Sequence, residues 1–243
     1  MNLWNSTFAW LVDPANWSGP AGISTRLGEH VLYSLITLVI AAAIAVPIGV
    51  AVSHTGKGRA VAVQLSGALR ALPTLGVLLL LALWLGLGFG PPLIVMVVLA
   101  LPPLLAGAYA GVDAVDRETI DAARSIGMTG WQVLFKVELP LAMPIIIGGV
   151  RSACLQVIAT WTVAAYLPLG GLGRFIYDGL AVQNYAEMLG ASVIVIVLAL
   201  VADSIFVVVQ RLVVPRGVVV GRASDVRVRS SKRLTTSQST TAG

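Results

Sequence analysis

Long apolar runs dominate this chain, and polar residues collect between them. Runs at 31–53, 60–88, 92–112, 140–167 and 189–212 each approach or exceed the length needed to cross a bilayer as helix, which takes about 20 apolar residues. The second run is irregular. Gln64, Arg70 and Pro73 interrupt it, so it reads as one kinked or broken helix or as two segments. Gly88-Phe89-Gly90-Pro91-Pro92 then reads as a turn before the third run, because successive prolines remove donors and disfavour helix in the residue before them. Between the third and fourth runs lie 26 mostly polar residues, Asp113 to Glu138. That stretch reads as two short helices. Asp116 caps the first, Glu118 and Asp121 place negative charge near its positive end, and Ala122-Ala123 favour helix and leave a low surface. Gly127 ends it in the left-handed conformation, and a second helix is expected from Thr129 to Lys136, before Leu139-Pro140 opens the fourth run.

Composition places these runs in a membrane. Of 243 residues, 57% are hydrophobic and 11% charged, against about 45–50% and 25% in soluble domains. Five spans leave little chain for an extramembrane enzyme domain, and Cys154, as the lone cysteine, excludes an intramolecular disulfide or a cysteine zinc cluster. The net charge of +5 does not point to nucleic acid, because the basic residues sit at the ends of apolar runs. Lys57 and Arg59 follow the first run, Arg117, Arg124 and Lys136 the third, and Arg211 with the later basic residues the fifth. With five spans these groups share one face, the cytoplasmic one by the positive-inside bias, so the N-terminus is expected outside and the C-terminus inside. The first 25 residues carry no Lys or Arg; they lack the basic start of a cleavable signal, and the N-terminus is expected to be kept. Trp4, Phe8, Leu11 and Val12 at helical spacing, with Trp10 and Trp17, make residues 1–28 an external interfacial segment. Residues 218–243, rich in Ser, Thr and Arg, read as a disordered basic cytoplasmic tail, orientation-setting or drawn to anionic lipid.

The polar stretch carries a family resemblance. Asp121-Ala122-Ala123, three residues, Gly127, nine residues, Val137, one residue and Leu139-Pro140 resembles the EAA loop of permease subunits in ABC importers. Asp replaces Glu at 121 and Val replaces Ile at 137. The resemblance implies an all-α integral membrane protein of the type I ABC importer permease fold, with about five transmembrane helices and a cytoplasmic coupling helix within 113–140. It implies that Asp121, Ala122, Ala123, Gly127, Leu139 and Pro140 form the element seated in the ATP-binding subunit. Leu72-Pro73-Thr74-Leu75, Ala108-Tyr109-Ala110-Gly111-Val112, Gly170-Gly171-Leu172-Gly173, Ala202-Asp203, Gln210-Arg211 and Pro215-Arg216-Gly217 resemble osmoprotectant importer permeases, those for glycine betaine, choline, carnitine or proline. This likeness covers about residues 29–217, the permease domain. Methionine importer permeases share the coupling loop and the Gly-Gly-Leu-Gly stretch and are the alternative.

Gly56-Lys57-Gly58 lacks both the upstream Gly and the hydroxyl of a phosphate-binding loop, so no cofactor is expected on this chain and ATP is used by a partner. The implied partners are an ATP-binding subunit dimer, a second permease chain of the same or a sibling kind, an extracytoplasmic solute-binding protein and the lipid bilayer. An ion-coupled secondary transporter would show repeats and several membrane carboxylates. Here no repeat is visible, and only Asp203 lies deep in a run.

Other residues are candidates for local roles. Tyr109, Trp161 and Tyr166 are candidates to line a translocation path, since ring faces attract quaternary ammonium, although packing is the commoner use. His30 and His54 stand alone and read as interfacial polar residues. The Gly170–Gly173 stretch reads as a tight re-entrant turn. At 1.5 Å per residue Arg70, Arg151 and Asp203 lie roughly 15, 16 and 14 Å into their runs from the inner side. Asp203 is therefore expected to pair with Arg151 or, second, with Arg70, because charges at that depth are costly alone.

Overall fold

The computed structural model describes residues 2–213 and is helical throughout its regular structure. The helices are α1 (Leu3–Val12), α2 (Pro14–Trp17), α3 (Ile23–Thr55), α4 (Arg59–Arg70), α5 (Thr74–Leu85), α6 (Gly90–Asp113), α7 (Arg117–Ser125), α8 (Gly130–Val133), α9 (Leu139–Ala164), α10 (Gly173–Ala181) and α11 (Tyr185–Val213). A π-helical turn, Leu134–Glu138, joins α8 to α9. Among the described residues α3, α6, α8 to α9, and α11 are long and apolar enough to cross a membrane. The expected disordered tail and Pro215-Arg216-Gly217 lie outside the described residues.

The irregular second run resolves into α4 and α5, bent by 86°. Pro73 supplies the break, because its ring disfavours helical backbone at Leu72, and both lie in the link between the helices. Contacts at its two ends show that the pair still crosses the fold. Arg59 at the start of α4 lies over the Tyr109 ring near the end of α6, whereas Phe89, after α5, packs on Tyr33 and Trp161 at the opposite side. Counted as one broken pass, α4 and α5 bring the passes among the described residues to five. The Gly-Pro cluster is not wholly a turn: α6 begins at Gly90, and Pro91 and Pro92 occupy its first turn, where a helix needs no N–H donors. The turn is earlier, at Gly86, with φ +90°.

Helix α6 is the centre, packed against α3 on one side and α9 on the other. Small residues set the spacing. A Cβ on Gly149 of α9 would stand 2.7 Å from the Gly107 Cα of α6 and 3.0 Å from the Pro103 carbonyl oxygen, and one on Gly49 of α3 would stand 2.7 Å from the Ala108 Cβ. Close backbone approach of this kind brings helices together where lipid offers no hydrophobic drive. Around it lie Ala41, Ala45, Met96, Leu104, Val157 and Trp161, all buried.

Helix α11 joins the bundle through polar contacts. Arg151 Nε and Nη2 of α9 donate to Asp203 Oδ1 and Oδ2 at 2.6 and 2.8 Å, and Gln210 Nε2 donates to the Pro144 carbonyl at 2.8 Å. Arg70 takes no part: it is exposed at the end of α4, which carries Arg59, Gln64 and Arg70 and is far more polar than α5. At the other end of α11, Trp10 of α1 lies against Gly190 and edge-on to Phe175 of α10 at 5.4 Å. Trp4, Phe8 and Val12 of α1 stay exposed.

Gly149→Ala is expected to lower the stability of the purified protein by about 1–3 kcal/mol, because backbone rather than a flexible side chain must yield. Gly28→Ala, where a Cβ meets nothing within 4 Å, is expected to change it little in the same thermal unfolding assay. Asp203→Asn should destabilise by leaving Arg151 without its carboxylate, and Arg151→Leu should partly rescue it. A double-mutant cycle is expected to give a coupling of about 1 kcal/mol, and strictly additive losses would count against the pair.

Candidate functional site

The polar stretch forms a projection at the loop end of the bundle. The Asp116 carboxylate accepts from the Glu118 N–H at 3.0 Å and opens α7. At its far end Gly127 has φ +86°, a left-handed conformation that costs residues with a Cβ. Its N–H reaches the Arg124 carbonyl at 2.9 Å while the Met128 N–H reaches Ala123 at 3.2 Å. Ala123 is buried and Ile120 half-buried; Asp121, Ala122, Arg124, Ser125 and Gly127 are exposed. Helix α7 is thus held by one narrow edge, and its broad face is open.

The second half differs from the expected separate helix. Thr129 and Gln132 form a capping box, but the helix does not stop at Lys136. The Leu139 N–H bonds to the Leu134 carbonyl, five residues back, and the chain runs through the π-turn into α9. Proline at 140 has no N–H to offer, and the change of hydrogen-bond register just before it carries the helix past. Leu139 and Pro140 therefore lie inside a continuous helical path from Gly130 to Ala164.

Beneath the projection, Val50, Val112, Val115, Leu134, Ala142 and Ile146 make an apolar root shared by α3, α6 and α9. A hydrogen-bonded pair adjoins it: His54 Nδ1 lies 2.5 Å from Glu138 Oε2, and Glu138 is 4% exposed. Reading His54 as an isolated interfacial residue missed this contact. An acid directly before Leu139-Pro140, at the foot of an apolar run, was the available signal, since so placed it needs a partner. A recess of 350 Å³ opens beside the pair, lined by His54, Asp113, Arg117, Asp121, Arg124 and Glu138 among others. Ile126, Trp131 and Phe135 are also exposed around the projection, at 80%, 72% and 60%, the two rings stacked at 5.9 Å. Apolar residues inside a polar stretch were their signal.

The three aromatic candidates do not converge. Tyr109 is half-buried at the loop end, with Arg59 Cζ 5.5 Å from its ring centre and its hydroxyl donating to Asp113 at 3.3 Å. Trp161 lies at the opposite end and is buried, stacked on Phe89, with Nε1 donating to the Thr37 hydroxyl at 3.0 Å. It is a core residue, since the helices that surround it consume its ring faces. Tyr166 is exposed and edge-on to Tyr177 at 5.5 Å.

At that opposite end α3 clasps the glycine turn. Glu29 accepts from the Gly171 N–H at 2.8 Å and from Arg26 at 3.1 Å, and the Tyr33 hydroxyl donates to the Leu169 carbonyl at 3.0 Å. His30 is 1% exposed and donates from Nε2 to the Ile158 carbonyl at 3.0 Å. It belongs to the core rather than to an interface.

Comparisons with known proteins agree with this geometry. The family model described as the binding-protein-dependent transport system inner membrane component matches residues 37–218. The glycine betaine/carnitine/choline transport system permease protein OpuCB of Bacillus subtilis is 34% identical over 192 residues, 79% of this chain and 88% of that one. The choline transport system permease protein OpuBB of the same organism is 32% identical over 189 residues, 78% and 87% of the two chains. Among solved structures, a chain of the MetNI methionine ABC transporter in an inward-facing conformation superposes with a TM-score of 0.71 at 18% identity, over 79% of this chain and 95% of that one. The chain belongs to the family of inner membrane components of binding-protein-dependent transport systems, the permease subunits of ABC importers.

Proposed function

We propose that this permease moves a quaternary-amine osmolyte such as glycine betaine, choline or carnitine inward, with α7 as the coupling helix. The likeness to OpuCB across 79% of the chain carries the substrate reading. The coupling reading is supported by the open face of α7, on which Asp121 and Ala122 lie between an acid-capped start and the Gly127 end. An ATP-hydrolysing subunit fits against that face, and a solute-binding protein delivers solute at the opposite one. The proposed assembly pairs this chain with a second permease, either another copy or a sibling. Its N-terminus is outside and the end of α11 cytoplasmic, because Lys57, Arg59, Arg117, Arg124, Lys136 and Arg211 all fall at the α7 end of the five passes.

ATP binding draws the two ATPase subunits together, and the load enters this chain through α7. Its apolar root joins α3, α6 and α9, and the His54–Glu138 pair ties the π-turn to the end of α3. The loop thus moves as part of the bundle.

Two experiments test the reading. In cells with the complete transporter, Gly127→Val should leave the protein in the membrane but reduce uptake about tenfold, since a β-branched residue is strained at positive φ; ATP-driven uptake equal to wild type would remove α7 from the coupling role. For cargo, labelled glycine betaine or choline should accumulate, and excess methionine should not compete. Competition by methionine with no uptake of quaternary amines would transfer the chain to the amino-acid importers.

A further inference from the structure

The spanning helices present different chemistry at their outward faces. Helix α11 exposes Val193, Ile196, Val197, Leu200, Val201 and Ile205, with Ser204 beside them returning its hydroxyl to the Leu200 carbonyl at 2.7 Å, and α3 exposes Leu32, Leu35, Val39, Ile40, Ile44 and Ile48. These surfaces suit hydrocarbon. Beyond its first turn, α9 exposes Ile145, Ser152, Gln156 and Ala159. Steps of seven, four and three residues put them on one helical face, bordered by half-buried Thr160. Ile145, the one large apolar residue among them, is 39% exposed.

Gln156 has half of its amide committed. Nε2 donates to the Leu99 carbonyl of α6 at 3.0 Å, a carbonyl left without its helical donor because Pro103, four residues on, has no N–H. Oε1 accepts no hydrogen bond among the described residues, and neither does Ser152 Oγ find a partner there, whereas the Thr160 hydroxyl returns to the Gln156 backbone carbonyl at 2.6 Å. Along α9, Ser152 and Gln156 lie roughly 20 and 25 Å from Leu139, within the depth of a hydrocarbon core of about 30 Å. Polar atoms facing lipid at that depth cost free energy. Facing water they do not.

We propose that the Ser152–Gln156–Ala159 face of α9 lines the aqueous passage for solute, with Gln156 Oε1 and Ser152 Oγ as its polar contacts. Both present oxygen lone pairs, the negative end of a dipole, to a small solute with a cationic head, and the short side chains at 152 and 159 leave it room. No formal charge lies among these four residues, so the solute is guided without being trapped. This rests on the transport reading given above, and fixes which helix face serves it.

The test uses the intact transporter in membranes, with Cys154→Ala as background and single cysteines introduced as Ser152→Cys, Ala159→Cys and, on α11, Val197→Cys. Thiolates form in water and not in lipid. A methanethiosulfonate bearing a trimethylammonium group is therefore expected to modify positions 152 and 159 about tenfold or more faster than position 197, and saturating glycine betaine should slow it severalfold. Modification at 152 and 159 no faster than at 197, in both the resting and the vanadate-trapped transporter, would show a face in lipid or covered by a second chain and would overturn the proposal. Labelling that glycine betaine, choline and methionine all fail to slow would also defeat it. Labelling slowed by methionine and not by glycine betaine would keep the passage and reject the osmolyte.

Discussion

Helix α6 meets α9 backbone to backbone at Gly107 and Gly149, and the rest of the structure is arranged around that contact. No side chain fits between the two helices there. Apolar side chains gain little from leaving lipid for protein, so association depends on close packing and on polar groups finding partners. The glycines provide the first. With α6 and α9 this close, Gln156 of α9 can reach the Leu99 carbonyl that Pro103 leaves open in α6, so the same approach that brings the helices together also satisfies a proline-broken backbone. Widening the contact by a methyl group would therefore tax a hydrogen bond as well as packing.

The charged residues follow the same logic of obligatory partnership. Arg151 and Asp203 meet through two hydrogen bonds, and Glu138, nearly enclosed, meets His54. Each pair joins a different pass to α9 or to the turn feeding it. Helix α11 has few buried residues of its own, and its tie to α9 is polar at Asp203 and Gln210, with the Trp10 contact at the other end. Removing one partner from such a pair leaves the other without its hydrogen bonds, which makes the pairs constraints on register rather than general adhesive.

Much of this was legible in the sequence because membrane depth reads directly from apolar run length. The first, third, fourth and fifth passes follow the runs at 31–53, 92–112, 140–167 and 189–212 within a few residues, except that α3 begins earlier, at Ile23. The Asp116 cap and the Gly127 terminus are local signals and were readable for the same reason. What escaped were features decided by tertiary contact. His30 and His54 look alike in sequence, yet one is a core residue bonded to Ile158 and the other faces Glu138. Trp161 carries the same polar handle wherever it stands, and only Thr37 and Phe89 make it a packing residue. The break at Pro73 was foreseeable, but the 86° angle depends on α4 being polar enough to lie apart from α5. Helix termination at Lys136 failed as an expectation because a π-turn lets the chain pass Pro140 without stopping.

That unbroken passage has a mechanical consequence. A loop tethered by flexible linkers would absorb displacement in its own hinges, whereas the path from Gly130 to Ala164 is helical throughout. On the proposed coupling role of α7, movement crosses the Gly127 turn and then, from Gly130, follows α8 and the π-turn into α9. Helix α9 holds Gly149 against α6, Arg151 against α11 and Gln156 against the Leu99 carbonyl. Its neighbours on these faces cannot be left behind without exposing a charge or an unpaired carbonyl. The proposed passage lies on the remaining face of the same helix, so under both proposals the helix that takes up the load also shapes the wall along which solute moves.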